Sequence, residues 1–198
     1  MASSSFKQQL KSGVFYTAIA KYSGIIVSLG VTAVLSRLLT PEDFGVIAVA
    51  TVIIVFFSVF SDMGLSSAII QKQNLSKDDY KSLYSLTVYL GIILGAIFFG
   101  SSWIIADIYE DKQLIPLCQV LSAQILFSTW TIVPNGLLLH DKLFKFIGIR
   151  TFLIQILLAG LSIGAAFIGF GVYTLLISPV GTAIFMFIFL SIVLTGSI

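Results

Sequence analysis

Full charges are scarce in this sequence, so each one inside an apolar run is a candidate for chemistry. Only 10% of the 198 residues are Asp, Glu, Lys or Arg, while 58% are hydrophobic. Lys21 is the one charge well inside a predicted apolar helix; counted from Ser12, it lies about 13 Å along the axis. An ammonium at that depth costs a few kcal/mol unless it faces water or a partner, which marks it as functional by default. The alternative is that an interfacial helix comes first and Lys21 snorkels to the headgroups. The same depth, counted from the same membrane face, reaches Trp130 and Gln155 in two later runs. Three polar groups at one level suit a cavity. They equally suit three unrelated packing contacts.

Asp62 lies near the end of another apolar run, two residues before Gly64. That spacing suggests a local helix break whose freed amides the carboxylate satisfies. A salt bridge to Arg150 or Lys21, or a site for a coupling cation, are the functional readings. No catalytic set accompanies these residues. A GxSG motif with a membrane-embedded histidine is missing, as are paired acidic motifs for lipid phosphotransfer, so the chain does not read as an enzyme. His140 stands beside Asp141 and Lys142, where a solvated loop role fits. Cys118 is alone, and with a single histidine there is no metal-ligand spacing. No cofactor is expected.

The elements that position these residues follow from hydropathy. A mean hydropathy of +1.06 leaves too little polar surface to cover a soluble fold. The apolar runs are long and continuous rather than alternating, which favours helices over a β-barrel. Six stretches reach the roughly 20 residues needed to span a bilayer: Ser12–Leu39, Phe44–Ile70, Leu83–Ala106, Leu114–Leu139, Phe146–Phe170 and Val172–Leu194. The first is too long for a signal-peptide core and reads as a retained span. Between the runs, Thr40-Pro41-Glu42-Asp43 and Ser76 with Asp79 are helix-start signals, and Gly169-Phe170-Gly171 marks a tight hairpin. Gly91/Gly95 and Gly160/Gly164 form GxxxG pairs expected to face inward, and Pro134 and Pro179 kink their helices.

Eight Lys and Arg residues fall on one side of these spans and two, Arg37 and Lys112, on the other. The positive-inside rule therefore puts both termini in the cytoplasm. Trp103 and Tyr109 at one face, and Tyr80 and Tyr84 at the other, suit interfacial belts. The net charge of +2 is dispersed over short loops and gives no nucleic-acid surface. The expected partner is membrane lipid.

The run Ala33-Val34-Leu35-Ser36-Arg37-Leu38-Leu39-Thr40-Pro41-Glu42-Asp43-Phe44-Gly45 resembles the "ARLLxPEDFG" junction of the polysaccharide flippases. These belong to the multidrug/oligosaccharidyl-lipid/polysaccharide exporter superfamily. Asp62-Met63-Gly64-Leu65, Pro134-Asn135-Gly136-Leu137-Leu138 and Gly169-Phe170-Gly171-Val172-Tyr173 are similar to later parts of the same pattern, in order and at matching spacing. The resemblance implies an all-α bundle of six transmembrane helices, like the N-terminal lobe of a MATE-like transporter. It implies a protein of the cytoplasmic membrane that moves isoprenoid pyrophosphate-linked oligosaccharides outward by alternating access. An anionic substrate of that kind suits cationic cavity residues, which is where Lys21 and Arg150 enter, with Trp130 and Gln155 beside them. Members of the family carry about twice as many spans, around a site between two repeats. The chain is therefore expected to be a truncated frame, an isolated lobe or half of a dimer. Export of drugs or peptidoglycan precursors, and a non-transporting scaffold role, are the alternatives.

Overall fold

The computed structural model describes residues 21–62, 65, 67, 69, 76–140 and 143–195, and all of its regular structure there is helical. Six helices are named here: α1 (Lys21–Leu35), α2 (Pro41–Asp62), α3 (Lys77–Ile108), α4 (Leu114–His140), α5 (Phe144–Phe167) and α6 (Thr174–Thr195). Helices α2 to α6 are each long and apolar enough to cross a membrane. The protein is a multi-pass helical membrane protein. The start of the first expected span, the Met63-Gly64 pair and the Asp141-Lys142 loop lie outside the described residues.

Local chemistry sets the helix ends. Pro41 occupies the first turn of α2, where its missing N–H removes no helical bond. Just before it, the Thr40 amide donates to Asp43 Oδ2 at 3.0 Å and the Asp43 amide donates back to Thr40 Oγ1 at 3.3 Å. Ser76 and Asp79 form the same reciprocal box at the start of α3, with both bonds at 3.1 Å. These boxes start α2 and α3 earlier than the apolar runs alone suggest, because a capped first turn tolerates charge. Between α5 and α6, Gly169 and Gly171 take φ of +86° and +55°, a left-handed region that favours glycine, and Gly171–Tyr173 forms one 3₁₀ turn.

Helix α4 is the hub, touching α2, α3 and α6. Leu114, Leu117, Cys118, Leu121 and Ile125 run down its buried face against Ala50 and Ile54 of α2 and Phe98 and Ile105 of α3. Phe98 is fully buried and meets Phe57 edge-on at 5.2 Å between ring centroids. Gly91 and Gly95 set how closely α3 approaches α4. A Cβ on Gly91 would lie 2.9 Å from Trp130 Nε1 and 3.1 Å from the Leu126 carbonyl oxygen. The second glycine pair corrects the expectation. Gly160 and Gly164 are exposed with open space before them. Helix α5 buries Gly148, Arg150, Ile154, Leu158 and Ser162 instead, a stripe that leaves Gly160 and Gly164 facing outward.

Candidate functional site

On the side away from the α2–α3 core, α1 does not close against its neighbours. A cleft runs between α1 and α5 and continues between α1, α5 and α6. Its first part, about 550 Å³, is lined by Lys21, Ser28, Ile147, Gly148, Thr151 and Gln155 among others. Its second, about 270 Å³, is lined by Thr32, Gln155, Ser162, Thr174, Ser178 and Thr182 together with apolar residues. The two parts share Gly24, Ser28 and Gln155. Gly24 is what lets the Gln155 amide lie against α1, since a Cβ there would stand 2.6 Å from Gln155 Oε1.

The lining follows from helical spacing. On α5, Gly148, Thr151, Gln155 and Ser162 recur at i, i+3, i+7 and i+14. On α1, Lys21, Gly24, Ser28 and Thr32 share one face, and on α6 Thr174, Ser178 and Thr182 recur every fourth residue. Residues at these spacings lie above one another on a helix. Three polar or small stripes on three otherwise apolar helices therefore converge on one seam.

Within the seam, hydrogen bonding is incomplete. Gln155 Oε1, Ser162 Oγ and Thr174 Oγ1 are buried without a partner, and Ser162 and Thr174 are 1% and 0% exposed. Buried polar groups of this kind are rare in proteins and ask for an explanation. A helical Ser or Thr can bond a carbonyl three or four residues back, as Thr129 does to Ile125 at 2.7 Å. Ser162 and Thr174 do not.

Of the residues singled out from the sequence, the structure brings Lys21 and Gln155 into this one cleft. Trp130 sits elsewhere. Its indole N–H donates to the Val88 carbonyl oxygen at 3.2 Å, and its ring packs between Phe127 and Phe187 at 5.6 and 5.2 Å. Arg150 is 4% exposed and turned toward α4. Its Nη2 donates to Asn135 Oδ1 of α4 at 3.0 Å, and Phe189 of α6 lies 5.9 Å from its guanidinium carbon. Its Nε and Nη1 are buried without a hydrogen-bond partner. Arg150 thus meets an amide and a ring where a carboxylate was one expectation. Asp62 is half-buried at the end of α2. No group of three potential metal-ligating side chains comes together among the described residues. The sequence reading missed Ser28, Thr151, Ser162 and the α6 hydroxyls. The signal that finds them is the recurrence of small and polar residues every three or four positions on three separate helices.

Residues 34–197 match the family described as polysaccharide biosynthesis protein, and the chain belongs to that family. It is 33% identical over 134 residues to the lipopolysaccharide biosynthesis protein WzxC of Escherichia coli, covering 67% of this chain and 26% of that protein. It is 26% identical over 124 residues to the teichuronic acid biosynthesis protein TuaB of Bacillus subtilis, covering 63% and 26%. The succinoglycan biosynthesis transport protein ExoT of Rhizobium meliloti matches at 26% over 145 residues, covering 72% and 29%. The chain spans about a quarter of the length of these curated relatives. No solved structure matches it.

Proposed function

We propose that this chain forms one lobe of a transporter that carries isoprenoid pyrophosphate-linked oligosaccharide units across the cytoplasmic membrane. The observation that carries the reading is the cleft: about 550 and 270 Å³ in its two parts, with a lysine at one end and a seam of polar side chains in an otherwise apolar bundle of the polysaccharide biosynthesis family. A transporter needs such a lining to take a polar group through hydrocarbon. Lys21 supplies a cation for the pyrophosphate and Gln155 a neutral hydrogen-bonding group beyond it. Arg150, with two unpartnered guanidinium nitrogens, is a second cation on the α4 side of the same helix; Trp130 positions α3 against α4.

Six spans, with both termini cytoplasmic, make one of the two bodies that alternating access requires, and a second lobe or a second copy provides the other. The relatives' greater length supports that arrangement. The chain is expressed in cells lacking their own polysaccharide exporter, alone and joined to the second half of WzxC, with surface glycan as the readout. Glycan is expected only from the joined form, and Lys21→Met abolishes it while leaving insertion unchanged. Normal export by Lys21→Met reduces that lysine to snorkelling. Single cysteines at positions 77 and 110 in a Cys118→Ser background test orientation; labelling of position 77 alone by an impermeant reagent in intact cells overturns it.

A further inference from the structure

The two buried, unpartnered hydroxyls at the far end of the seam have no structural task visible in the fold. Neither hydroxyl caps a helix or bonds its own helix, yet both residues line a cavity of about 270 Å³. Gln155 Oε1 adds a third unpartnered oxygen, about 10 Å from Ser162 along α5 at two helical turns. The cavity holds no charged side chain, and every polar group on it is a hydroxyl or a carboxamide. A divalent cation is poorly served there, because Ca²⁺ and Mg²⁺ sites draw on carboxylate oxygens. A purely apolar ligand leaves the three oxygens unsatisfied. What fits is a neutral molecule that both donates and accepts hydrogen bonds at several positions along its length. A sugar ring does this, and the space approaches the lower limit of small-ligand pockets, about 300 Å³.

We infer that Ser162 and Thr174 form a subsite for one sugar ring of the carried glycan, with Gln155, two turns away, beside the neighbouring ring. The inference rests on the transporter reading above and adds which part of the substrate lies where. Charge at Lys21 meets the pyrophosphate, and the neutral oxygens further along the seam meet the first sugars. Discrimination between glycans then comes from the α5–α6 hydroxyls rather than from the cations.

The test uses the chain in lipid nanodiscs and saturation-transfer NMR with methyl glucoside, methyl galactoside and methyl N-acetylglucosaminide as probes. At least one glycoside is expected to receive saturation from the protein. The Ser162→Ala/Thr174→Val double variant weakens that binding about tenfold, the change expected from two neutral hydrogen bonds. Thr174→Ser, which keeps the oxygen, retains it. Thermal unfolding of each variant shows whether the fold survives; Gln155→Leu provides an independent loss should the double variant fail to fold. If no glycoside binds, or if binding ignores both variants, the seam holds water alone and the inference falls. Intact, variant-sensitive glycoside binding with no restored surface glycan breaks the transporter reading instead and leaves the subsite standing.

Discussion

The α2–α3–α4 side and the α1–α5–α6 side of this bundle use their fully buried hydroxyls in opposite ways. On the first, Ser61, Thr87, Ser102 and Thr129 are buried, and each donates to a carbonyl of its own helix at 2.7 to 3.1 Å. Their hydroxyls are consumed locally and their methyl or methylene faces join an apolar core. On the second, Ser162 and Thr174 are as deeply buried and bond nothing. Gln124 has an unpartnered oxygen on α4 too, but it lines neither part of the cleft. In a bilayer, where association of helices rests on packing and hydrogen bonds rather than on the exclusion of water, an unspent hydroxyl is a retained capacity to bind. The buried hydroxyls whose bonds are made lie on one side, and those whose bonds are not made lie on the other.

The comparison breaks if core and seam respond alike to substitution. The largest effect is expected from Phe98→Ala, which empties the space against Phe57 and the α4 leucines. A loss of about 3–5 kcal/mol of unfolding free energy in detergent is predicted, with little change in glycoside binding. Gly91→Val comes next. Its Cβ meets both an indole and a backbone oxygen, so α3 and α4 must separate, at about 1–3 kcal/mol. Gly95→Ala is the matched control, since its Cβ finds ordinary contacts at 3.5 Å and costs little.

Smaller effects sharpen the contrast. Gly24→Ala pushes only the flexible end of Gln155, so stability should fall by less than about 1 kcal/mol while binding in the cleft drops. The exposed Gly160→Ala is expected to stabilise α5 by about 0.5 kcal/mol, because nothing obstructs the methyl and helical Gly carries an entropic penalty. The finest contrast sets one buried hydroxyl from each side against the other. Thr129→Val loses a made hydrogen bond and about 0.5–1 kcal/mol, whereas Thr174→Val removes an unmet one and leaves stability equal or higher. Chemical unfolding of the two variants side by side decides it; a larger loss from Thr174→Val contradicts the division.

Much of this protein follows from sequence alone. Long apolar runs can only be satisfied in lipid as helices, because each backbone polar group must find its partner within the segment. That reasoning yields the helical membrane class, and the Thr40–Asp43 and Ser76–Asp79 signals yield two helix starts within a few residues. Lys21 and Gln155 were also legible, since a polar residue inside an apolar helix is expensive and so conspicuous. Hydropathy cannot say which way a helix is turned about its own axis, however. A hydroxyl is nearly neutral in a hydrophobic run whether it faces a carbonyl, lipid or a cavity, so Ser162, Thr174, Ser178 and Thr182 carried no weight singly. The rotation of α5 is set by its neighbours. Arg150 reaches Asn135 on α4, Gly24 admits Gln155 from α1, and those contacts turn Gly160 and Gly164 outward. Trp130, level with Lys21 by residue counting, went to the α3–α4 interface for the same reason: Gly91 leaves it a slot and Val88 an acceptor. Which residues could matter is a property of composition and depth. Which of them face one another is decided by interhelical packing, whose partners lie many residues away along the chain.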